Sequence, residues 1–283
     1  MITYQRLIRN TVKQIGRADA EYLLQTLSRK NLLELYSSNE CVPQGLYDRI
    51  THLVQKCRDG APVQYLVHTA YFLDYELYVD QCVMIPRFET EELVVKTVSR
   101  IKFYRRNPRL ILDVGTGSGN IAIALANLLP MVRIIATDIS HEALQVASYN
   151  VKKYHLEKRV ALINCNLLEF AKSSLPEEFK TSNSRFDVII SNPPYIPTDE
   201  LAQLPISVRN YEPRLALDGG QDGFEIIKKL LITAQDYLKP SGFLALEIDP
   251  RQVNLITGTV RNASIEFEHD LRGNIRYAFV YYK

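Results

Sequence analysis

Residues 110–120 read LILDVGTGSGN, an apolar run that ends in Asp113-Val114 and passes into three closely spaced glycines. The run predicts a buried strand, and residues 120–129 predict a helix that starts directly after the last glycine. Glycines at the tip of a strand let a ligand approach the backbone closely, and the first turn of a helix offers free N–H groups. The stretch therefore predicts a strand, a loop and a helix that together bind a ligand.

Strands and helices alternate from this stretch towards the end of the chain. Strands are predicted at 110–114, 132–137, 160–164, 186–191 and 243–248, and helices at 120–129, 141–154 and 224–238. Such alternation is typical of an α/β domain with a mostly parallel sheet and helices on both faces. Two last strand-like runs, 264–269 and 277–282, are too close for a helical connection. We therefore expect them to pair antiparallel and to complete a seven-stranded sheet.

The residues before this domain have a different pattern. From 4 to 66, apolar side chains recur at helical spacing, with breaks near Gly16, at 37–43 and at 60–62, which predicts a small helical bundle. The stretch 71–79 is rich in aromatic and β-branched side chains and predicts a β-hairpin. The predicted domains are a helical domain (1–68), a hairpin linker (69–85) and an α/β domain (86–283).

The composition is that of a globular protein without a large excess of charge. The 283 residues are 46% hydrophobic and 23% charged, with a formal net charge of +2, which gives no indication of a general polyanion-binding protein. The four cysteines are scattered and the five histidines lack metal-ligand spacing, so neither a disulfide framework nor a metal site is expected. No apolar run reaches the roughly 20 residues of a membrane-spanning helix. We expect a soluble monomer in the cytoplasm. Four basic residues and no acid among the first 17 make an organelle matrix the alternative.

The spacing of the glycines distinguishes two classes of nucleotide ligand. A dinucleotide fingerprint G-x-G-x-x-G would need its third glycine at position 120, which is Asn in this chain. The observed pattern D-x-G-x-G-x-G instead resembles the first motif of class I methyltransferases, which contacts S-adenosylmethionine. Asp138 ends the second strand and can accept hydrogen bonds from ribose hydroxyls under either interpretation. Asn166, after the third strand, can accept a hydrogen bond from an adenine amine or can simply cap a turn.

The tetrad Asn192-Pro193-Pro194-Tyr195 follows the apolar run 186–191. It could be no more than a turn that ends a strand, but it stands at the edge of the sheet where ligands bind. A planar amide or aromatic amine nitrogen is a weak nucleophile, so it must be held with its lone pair aimed at the methyl donor. The Asn192 side-chain oxygen and the Pro193 carbonyl can each accept one N–H, while Tyr195 packs against the flat group. The tetrad therefore predicts methylation of such a nitrogen without a strong base.

Further motifs make the chain similar to the HemK/PrmC family, the N5-glutamine methyltransferases of peptide-chain release factors. These motifs are IPRFETE (85–91), LDVGTGSG (112–119), SNPPYI (191–196), YEP (211–213), DGG (218–220), LEI (246–248) and DL with a following glycine (270–273). The resemblance implies a Rossmann-like class I methyltransferase fold with S-adenosylmethionine as the cofactor and no metal. It implies cofactor contacts for Asp113, Gly115, Thr116, Gly117, Ser118, Gly119, Asp138, Asn166, Leu167 and Asn192. It also implies catalytic roles for Asn192, Pro193 and Tyr195, and substrate contacts for these three together with Pro194, Arg87 and Glu89.

Three positions depart from the expected pattern. Asn166 stands where methyltransferases commonly carry Asp. Phe88 stands where the family usually has proline, and Asp249 stands where it usually has glycine. If position 249 requires a positive φ, Asp tolerates that conformation less well than glycine does. Arg87 and Glu89 could also form a surface ion pair with each other instead of contacting a substrate.

The resemblance implies methylation of the glutamine in the Gly-Gly-Gln motif of class 1 release factors, with residues 1–68 docking the larger protein. The main alternative is an adenine-N6 or guanine-N2 methyltransferase of nucleic acid, which would favour a basic helical domain. Residues 1–80 contain nine Lys or Arg and nine Asp or Glu, so this alternative is weakened and no direct nucleic-acid contact is expected. The remaining alternatives are a binding module without catalysis and a dehydrogenase, the latter disfavoured by the missing third glycine.

Overall fold

The computed structural model describes residues 2–103, 108–170, 179 and 185–283. The helices are α1 Tyr4–Ile15, α2 Arg17–Ser28, α3 Leu32–Ser37, α4 Gln44–Arg58, α5 Val63–Val67, α6 Phe88–Phe103, α7 Asn120–Leu128, α8 His141–Lys153, α9 Ile206–Arg209, α10 Glu225–Tyr237 and α11 Val253–Thr259. The strands are β1 Ala70–Phe72, β2 Tyr75–Leu77, β3 Leu110–Val114, β4 Arg133–Asp138, β5 Val160–Asn164, β6 Phe186–Ser191, β7 Leu238–Glu247, β8 Ala263–His269 and β9 Ile275–Tyr282. Short 3-10 helices span Thr198–Gln203, Arg214–Ala216 and Pro250–Gln252.

Helices α1 to α5 pack around a core of their own. Its fully buried side chains include Ile8, Leu23, Leu24, Leu35 and Ile50. Burying one such side chain contributes roughly 1.5–3 kcal/mol, so the apolar stripe of each helix determines which face turns inward. At the start of α3, Asn31 and Glu34 each accept a backbone N–H of the other, which fixes where that helix begins. The hairpin β1–β2 follows directly after α5, with Ala70 paired antiparallel to Leu77.

Strands β3 to β9 form one seven-stranded sheet in the order β5-β4-β3-β6-β7-β9-β8. The first five strands in this order run parallel, and β9 lies antiparallel between β7 and β8. The α/β fold, the seven strands and the antiparallel last pair predicted from the sequence are confirmed. The strand predicted at 243–248 is longer and shifted, because Leu238 already pairs with Phe186 before a register shift and β7 ends at Glu247.

Helices cover both faces of this sheet, which explains why β3 is apolar on both of its faces. Ile111 belongs to the core beneath α6 and α7, whereas Leu110 and Leu112 belong to the core beneath α10. From β3 the chain moves outward to β4 and β5, and it then returns to β6 on the other side of β3. This reversal leaves a crevice at the carboxyl ends of β3 and β6, which is where open parallel sheets bind ligands.

Candidate functional site

A pocket opens at the carboxyl ends of β3, β4 and β6. The predicted cofactor residues that line it are Gly115, Thr116, Gly117, Ser118, Asp138, Asn166, Leu167 and Asn192. Asp113 is fully buried at the end of β3, and Gly119 forms the cap at the start of α7. Of the predicted substrate residues, Asn192 and Pro194 line the pocket. The others, Pro193, Tyr195, Arg87 and Glu89, are each adjacent in the chain to a lining residue.

The loop after β3 turns its backbone towards the pocket. Gly117 has φ +53, a left-handed conformation that favours glycine, and its N–H donates to Asp138 Oδ2 over 2.9 Å. Thr116 donates its hydroxyl to Asp113 Oδ2 over 2.6 Å. No atom of the described residues, the chain neighbours apart, lies within 4 Å of the position that a Cβ of Gly115 or Gly117 would take. The loop is therefore fixed on β3 and β4 while the space beside its glycines stays open.

Two carboxyl groups with perturbed acidity lie beside this loop. Burial raises the pKa of Asp113 to about 7, while the hydrogen bond from Thr116 lowers it and the charge of Asp138 raises it. Burial also raises the pKa of Asp138, although backbone N–H groups of Ser140 and Gly117 lower it. Each of those N–H groups lies 2.9 Å from a carboxylate oxygen of Asp138. Asp138 therefore presents a carboxylate of fixed orientation at the pocket wall.

The residues after β5 contribute an amide to the same pocket. The Asn166 side-chain N–H donates to Glu169 Oε1 over 3.1 Å. Since the amide nitrogen is engaged there, the side-chain oxygen of Asn166 is the atom available to accept a hydrogen bond from a ligand. The next residue, Leu167, has φ +50, and its carbonyl accepts the Thr137 hydroxyl over 3.3 Å.

A buried asparagine that the sequence analysis did not single out holds the glycine loop in place. The side-chain N–H groups of Asn150 in α8 donate to the carbonyls of Ser118 and Tyr78, each over 2.9 Å. Its side-chain oxygen accepts the Tyr78 N–H over 2.7 Å. Asn150 is fully buried and thereby links the glycine loop, α8 and the segment after the hairpin. An asparagine among the apolar positions of a helix was the available signal.

The tetrad 192–195 follows β6 and is hydrogen-bonded to two other elements. The Asn192 side-chain N–H donates to Thr90 Oγ1 in the first turn of α6 over 2.8 Å. The Tyr195 hydroxyl donates to Glu247 Oε1 at the end of β7 over 3.3 Å. Because Asn192 uses its amide nitrogen for Thr90, its side-chain oxygen is available as an acceptor in the pocket that Asn192 lines.

Thr90 and Glu247 received no role in the sequence analysis, although both belong to quoted motifs. The Thr90 hydroxyl donates to Glu247 Oε2 over 2.8 Å, and Glu247 is only 1% exposed. Burial raises the pKa of Glu247 to about 7, while the Thr90 hydrogen bond and the charge of Arg276 lower it. A glutamate at the end of an apolar strand was the signal, because an acid is rarely buried without a partner or a function.

The alternative that Arg87 and Glu89 form an ion pair with each other is wrong. Arg87 instead pairs with Glu212, which lies in the YEP motif and is nearly buried. Burial raises the pKa of Glu212, and the guanidinium of Arg87 lowers it. The backbone carbonyl of Glu89 accepts the Tyr277 hydroxyl over 2.9 Å. Arg87, directly before α6, therefore links this helix to the segment before the Arg214–Ala216 turn. Its ion-pair partner is distant in sequence and is not the nearby Glu89.

Two of the three departures, Phe88 and Asp249, have simple local surroundings. Phe88 is the first residue of α6 and its side chain is 56% exposed. Asp249 has φ −80, so position 249 does not need the left-handed backbone that would favour glycine. Its carboxylate accepts the Arg251 N–H, and its own N–H donates to the Gln252 side chain, which caps the 3-10 turn that follows.

Among the described residues, no group of three or more His, Cys, Asp or Glu side chains could hold a metal ion. Within the same residues, no helix has the length and apolar character needed to cross a bilayer.

Comparisons with known proteins agree with this geometry. Residues 109–270 match a family model described as a methyltransferase domain. The chain is 40% identical over 238 residues to a release factor glutamine methyltransferase of Rhodopirellula baltica, and this alignment covers 83% of this chain and 77% of that protein. It is 34% identical to one of Gloeobacter violaceus, which covers 98% of this chain and 94% of the relative. The crystal structure of a methyltransferase from Pyrococcus furiosus aligns with a TM-score of 0.51 at 19% identity, covering 85% of this chain and 99% of that chain, and shows a similar fold.

Proposed function

The chain belongs to the release factor glutamine methyltransferase family, and we propose that it methylates the side-chain amide nitrogen (N5) of the glutamine in the Gly-Gly-Gln motif of class 1 peptide-chain release factors. It is a methyltransferase, and we propose that it uses S-adenosylmethionine as its cofactor and acts in translation termination. The observation that supports the choice of an amide is the engaged nitrogen of Asn192, which leaves a hydrogen-bond acceptor at the pocket.

The pocket residues fit a nucleoside that bears a sulfonium group. The open space beside Gly115 and Gly117 can take a ligand in contact with backbone, as the methionine part would require. The Asp138 carboxylate can accept both ribose hydroxyls, and the Asn166 oxygen can accept the adenine amine. Buried carboxylates near the pocket also favour a ligand with a net positive charge. When bound, S-adenosylmethionine supplies a methyl group whose carbon bonds to nitrogen while the sulfur keeps the electron pair of the broken bond.

The tetrad would position the amide rather than ionise it. The Asn192 side-chain oxygen and the Pro193 carbonyl accept its two N–H groups, which aims the nitrogen lone pair away from both acceptors and towards the donor. Tyr195, fixed by its hydrogen bond to Glu247, packs against the flat amide. One N–H proton leaves the nitrogen to solvent as the new bond forms. The catalytic contribution of Asn192, Pro193 and Tyr195 is therefore orientation and hydrogen bonding.

The larger substrate needs a docking surface outside the pocket. We propose that the chain consists of a docking domain (1–68), a linker (69–85) and a methyltransferase domain (86–283). The separate hydrophobic core of α1 to α5 supports the first of these. Arg87 and Glu89 belong to the proposed substrate contacts because they stand at the start of α6 beside Thr90, which lines the pocket. The enzyme would act as a monomer in the cytoplasm on a protein, without direct nucleic-acid contact.

A comparison of three substrate classes tests this function. The protein is incubated with cofactor carrying a labelled methyl group and with separate pools of purified release factors, DNA and RNA. We expect label on the release factors and, after proteolysis, on the peptide that contains Gly-Gly-Gln. Label on DNA or RNA alone would favour the adenine-N6 or guanine-N2 alternative and would overturn the proposal.

A further inference from the structure

We infer that Thr90 and Glu247 are positioning residues that fix which end of the Asn192 side-chain amide faces the substrate. The inference rests on the proposed function, because the orientation of Asn192 matters only if Asn192 binds the reacting amide. Thr90 belongs to α6, Glu247 ends β7, and Asn192 follows β6, so three elements meet at this point.

The direction of the hydrogen bonds at Thr90 determines the orientation of the Asn192 side-chain amide. A threonine hydroxyl can donate one hydrogen bond, and Thr90 donates it to Glu247 Oε2 over 2.8 Å. Thr90 Oγ1 can then only accept from Asn192, whose Nδ2 lies 2.8 Å away. Asn192 is thereby forced to keep its NH₂ on Thr90 and to present its oxygen to the pocket. An asparagine turned by half a rotation would present NH₂ to the NH₂ of the substrate, two donors without an acceptor.

Glu247 determines the direction of both hydrogen bonds, from Asn192 to Thr90 and from Thr90 to Glu247. When ionised it can only accept, and it accepts hydrogen bonds from the hydroxyls of both Thr90 and Tyr195. A protonated Glu247 could instead donate a hydrogen bond to Thr90 Oγ1. The Thr90 hydroxyl would then donate to Asn192 Oδ1, and the preferred orientation of the Asn192 amide would be reversed. The charge state of a carboxyl group that does not line the pocket therefore acts on the substrate through Thr90 and Asn192.

Charged and titratable groups on α6 and β9 surround Glu247 and affect its pKa. Arg276 on β9 favours its ionised form, whereas Glu89 on α6 opposes it. Tyr277 on β9, the strand partner of Glu247, has its own pKa raised mainly by burial and further by acids that include Glu247. Burial outweighs the favourable partners and raises the pKa of Glu247 to about 7. The orientation of Asn192 should therefore depend on pH near the pKa of Glu247.

A matched pair of threonines on one helix provides the test. Thr90→Val removes the hydroxyl with little change in shape, and Thr90→Ser keeps it. Thr97→Val is the control, because Thr97 lies two turns further along α6, is fully buried, and has an Oγ1 without a hydrogen-bond partner among the described residues. In single-turnover assays at saturating cofactor and release factor, Thr90→Val should lose about 10- to 100-fold in rate. Thr90→Ser and Thr97→Val should both stay within about 3-fold of the unmodified protein, and cofactor affinity should change less than about 2-fold in all three.

Three results of this comparison would overturn the inference. They are an unchanged rate in Thr90→Val, an equal loss in Thr90→Ser, and a loss in Thr97→Val as large as in Thr90→Val. Glu247 is tested through pH. The ratio of the rate of the unmodified protein to that of Glu247→Gln should rise as pH increases through about 7, because the glutamine cannot titrate. A ratio independent of pH would limit Glu247 to a structural role.

A measurement without substrate separates this inference from the proposed function. The side-chain amide signals of Asn192 are identified in spectra of ¹⁵N-asparagine-labelled protein by their loss in Asn192→Ala. Hydrogen exchange of these signals should be slow in the unmodified protein and in Thr97→Val, and much faster in Thr90→Val. Equal exchange in all three proteins would refute the positioning role even if release-factor methylation is observed. Slow exchange that depends on Thr90, in a protein that does not methylate release factors, would refute only the proposed function.

Discussion

Replacing Gly219 by alanine should slow methyl transfer without any change of a residue that touches a ligand. An added Cβ at position 219 would lie 2.7 Å from the Gly223 carbonyl oxygen, 2.8 Å from Tyr195 Cα and 2.9 Å from the Pro194 carbonyl oxygen. All three are backbone atoms, so no flexible side chain can move aside. Ordinary contacts between carbon atoms are about 3.5–4.0 Å, so the tetrad backbone has to shift by about 1 Å.

The size of the effect follows from that shift. A misplacement of about 1 Å at a reacting centre costs on the order of 10²-fold in rate, which corresponds to about 2.7 kcal/mol in the activation barrier. Overpacking of this kind also lowers the free energy of unfolding by about 1–3 kcal/mol. Cofactor affinity should change much less, because the glycine loop after β3 and Asp138 lie on other elements.

The assay compares Gly219→Ala with Gly258→Ala. Gly258 lies near the end of α11, and an added Cβ there would meet no atom within 4 Å in the part of the chain that the structure describes, its neighbours in the helix apart. Single-turnover rates at saturating cofactor, cofactor affinity by calorimetry and thermal unfolding are measured for both. We expect the rate to fall only in Gly219→Ala. A normal rate in a folded Gly219→Ala protein would refute the reasoning that the segment 218–223 sets the position of the tetrad.

Three further predictions concern the cofactor pocket and the buried acid. Asp138→Ala should weaken cofactor binding by about 10-fold or more in calorimetry, because two charge-assisted hydrogen bonds are lost, and unchanged affinity would remove Asp138 from the site. Asn166→Asp combined with Glu169→Gln should bind the cofactor at least as tightly, since it gives the adenine amine a charged acceptor and removes the neighbouring acid; a clear loss would show that Asn166 does not accept that bond. Because the pKa of Glu247 rises from 4.5 to about 7 on folding, the folded state holds the extra proton and stability falls as pH increases across that window. Chemical denaturation should show Glu247→Gln gaining up to about 3 kcal/mol over the unmodified protein between those two pH limits, and an equal pH dependence of the two proteins would contradict the buried charge.

Local pattern was sufficient for the fold and for the parts of the site that are continuous in sequence. The apolar run into Asp113 and the glycines at 115–119 predicted β3, its loop and α7, because hydrophobic periodicity and backbone geometry act over a few residues. The carboxyl-end rule for parallel strands then predicted that Asp138, Asn166 and Asn192 would meet, and the structure places all three on one pocket.

Partners far apart in the chain could not be predicted in this way. Asn192 bonds to Thr90, 102 residues away, and Thr90 bonds to Glu247, 157 residues away. Arg87 similarly pairs with Glu212 rather than with the nearby Glu89, because the fold brings the segment before α6 close to Glu212. Such contacts depend on how whole elements are arranged, which periodicity and turn chemistry do not encode.

We propose that a neutral glutamine amide is held between the Asn192 side-chain oxygen and the Pro193 carbonyl. The most direct test of this arrangement is a single-turnover assay at saturating cofactor with a class 1 release factor and with the same factor carrying glutamate in place of the target glutamine. Two acceptors that face a carboxylate have no donor to bind, so the glutamate substrate should react slower by on the order of 10⁴-fold. Asn192→Ala should slow the reaction of the glutamine substrate by on the order of 10²-fold with nearly unchanged cofactor affinity. Mass spectrometry of the Gly-Gly-Gln peptide should find one methyl group on the glutamine side chain, and comparable transfer to the glutamate substrate, or a normal rate in Asn192→Ala, would contradict the account.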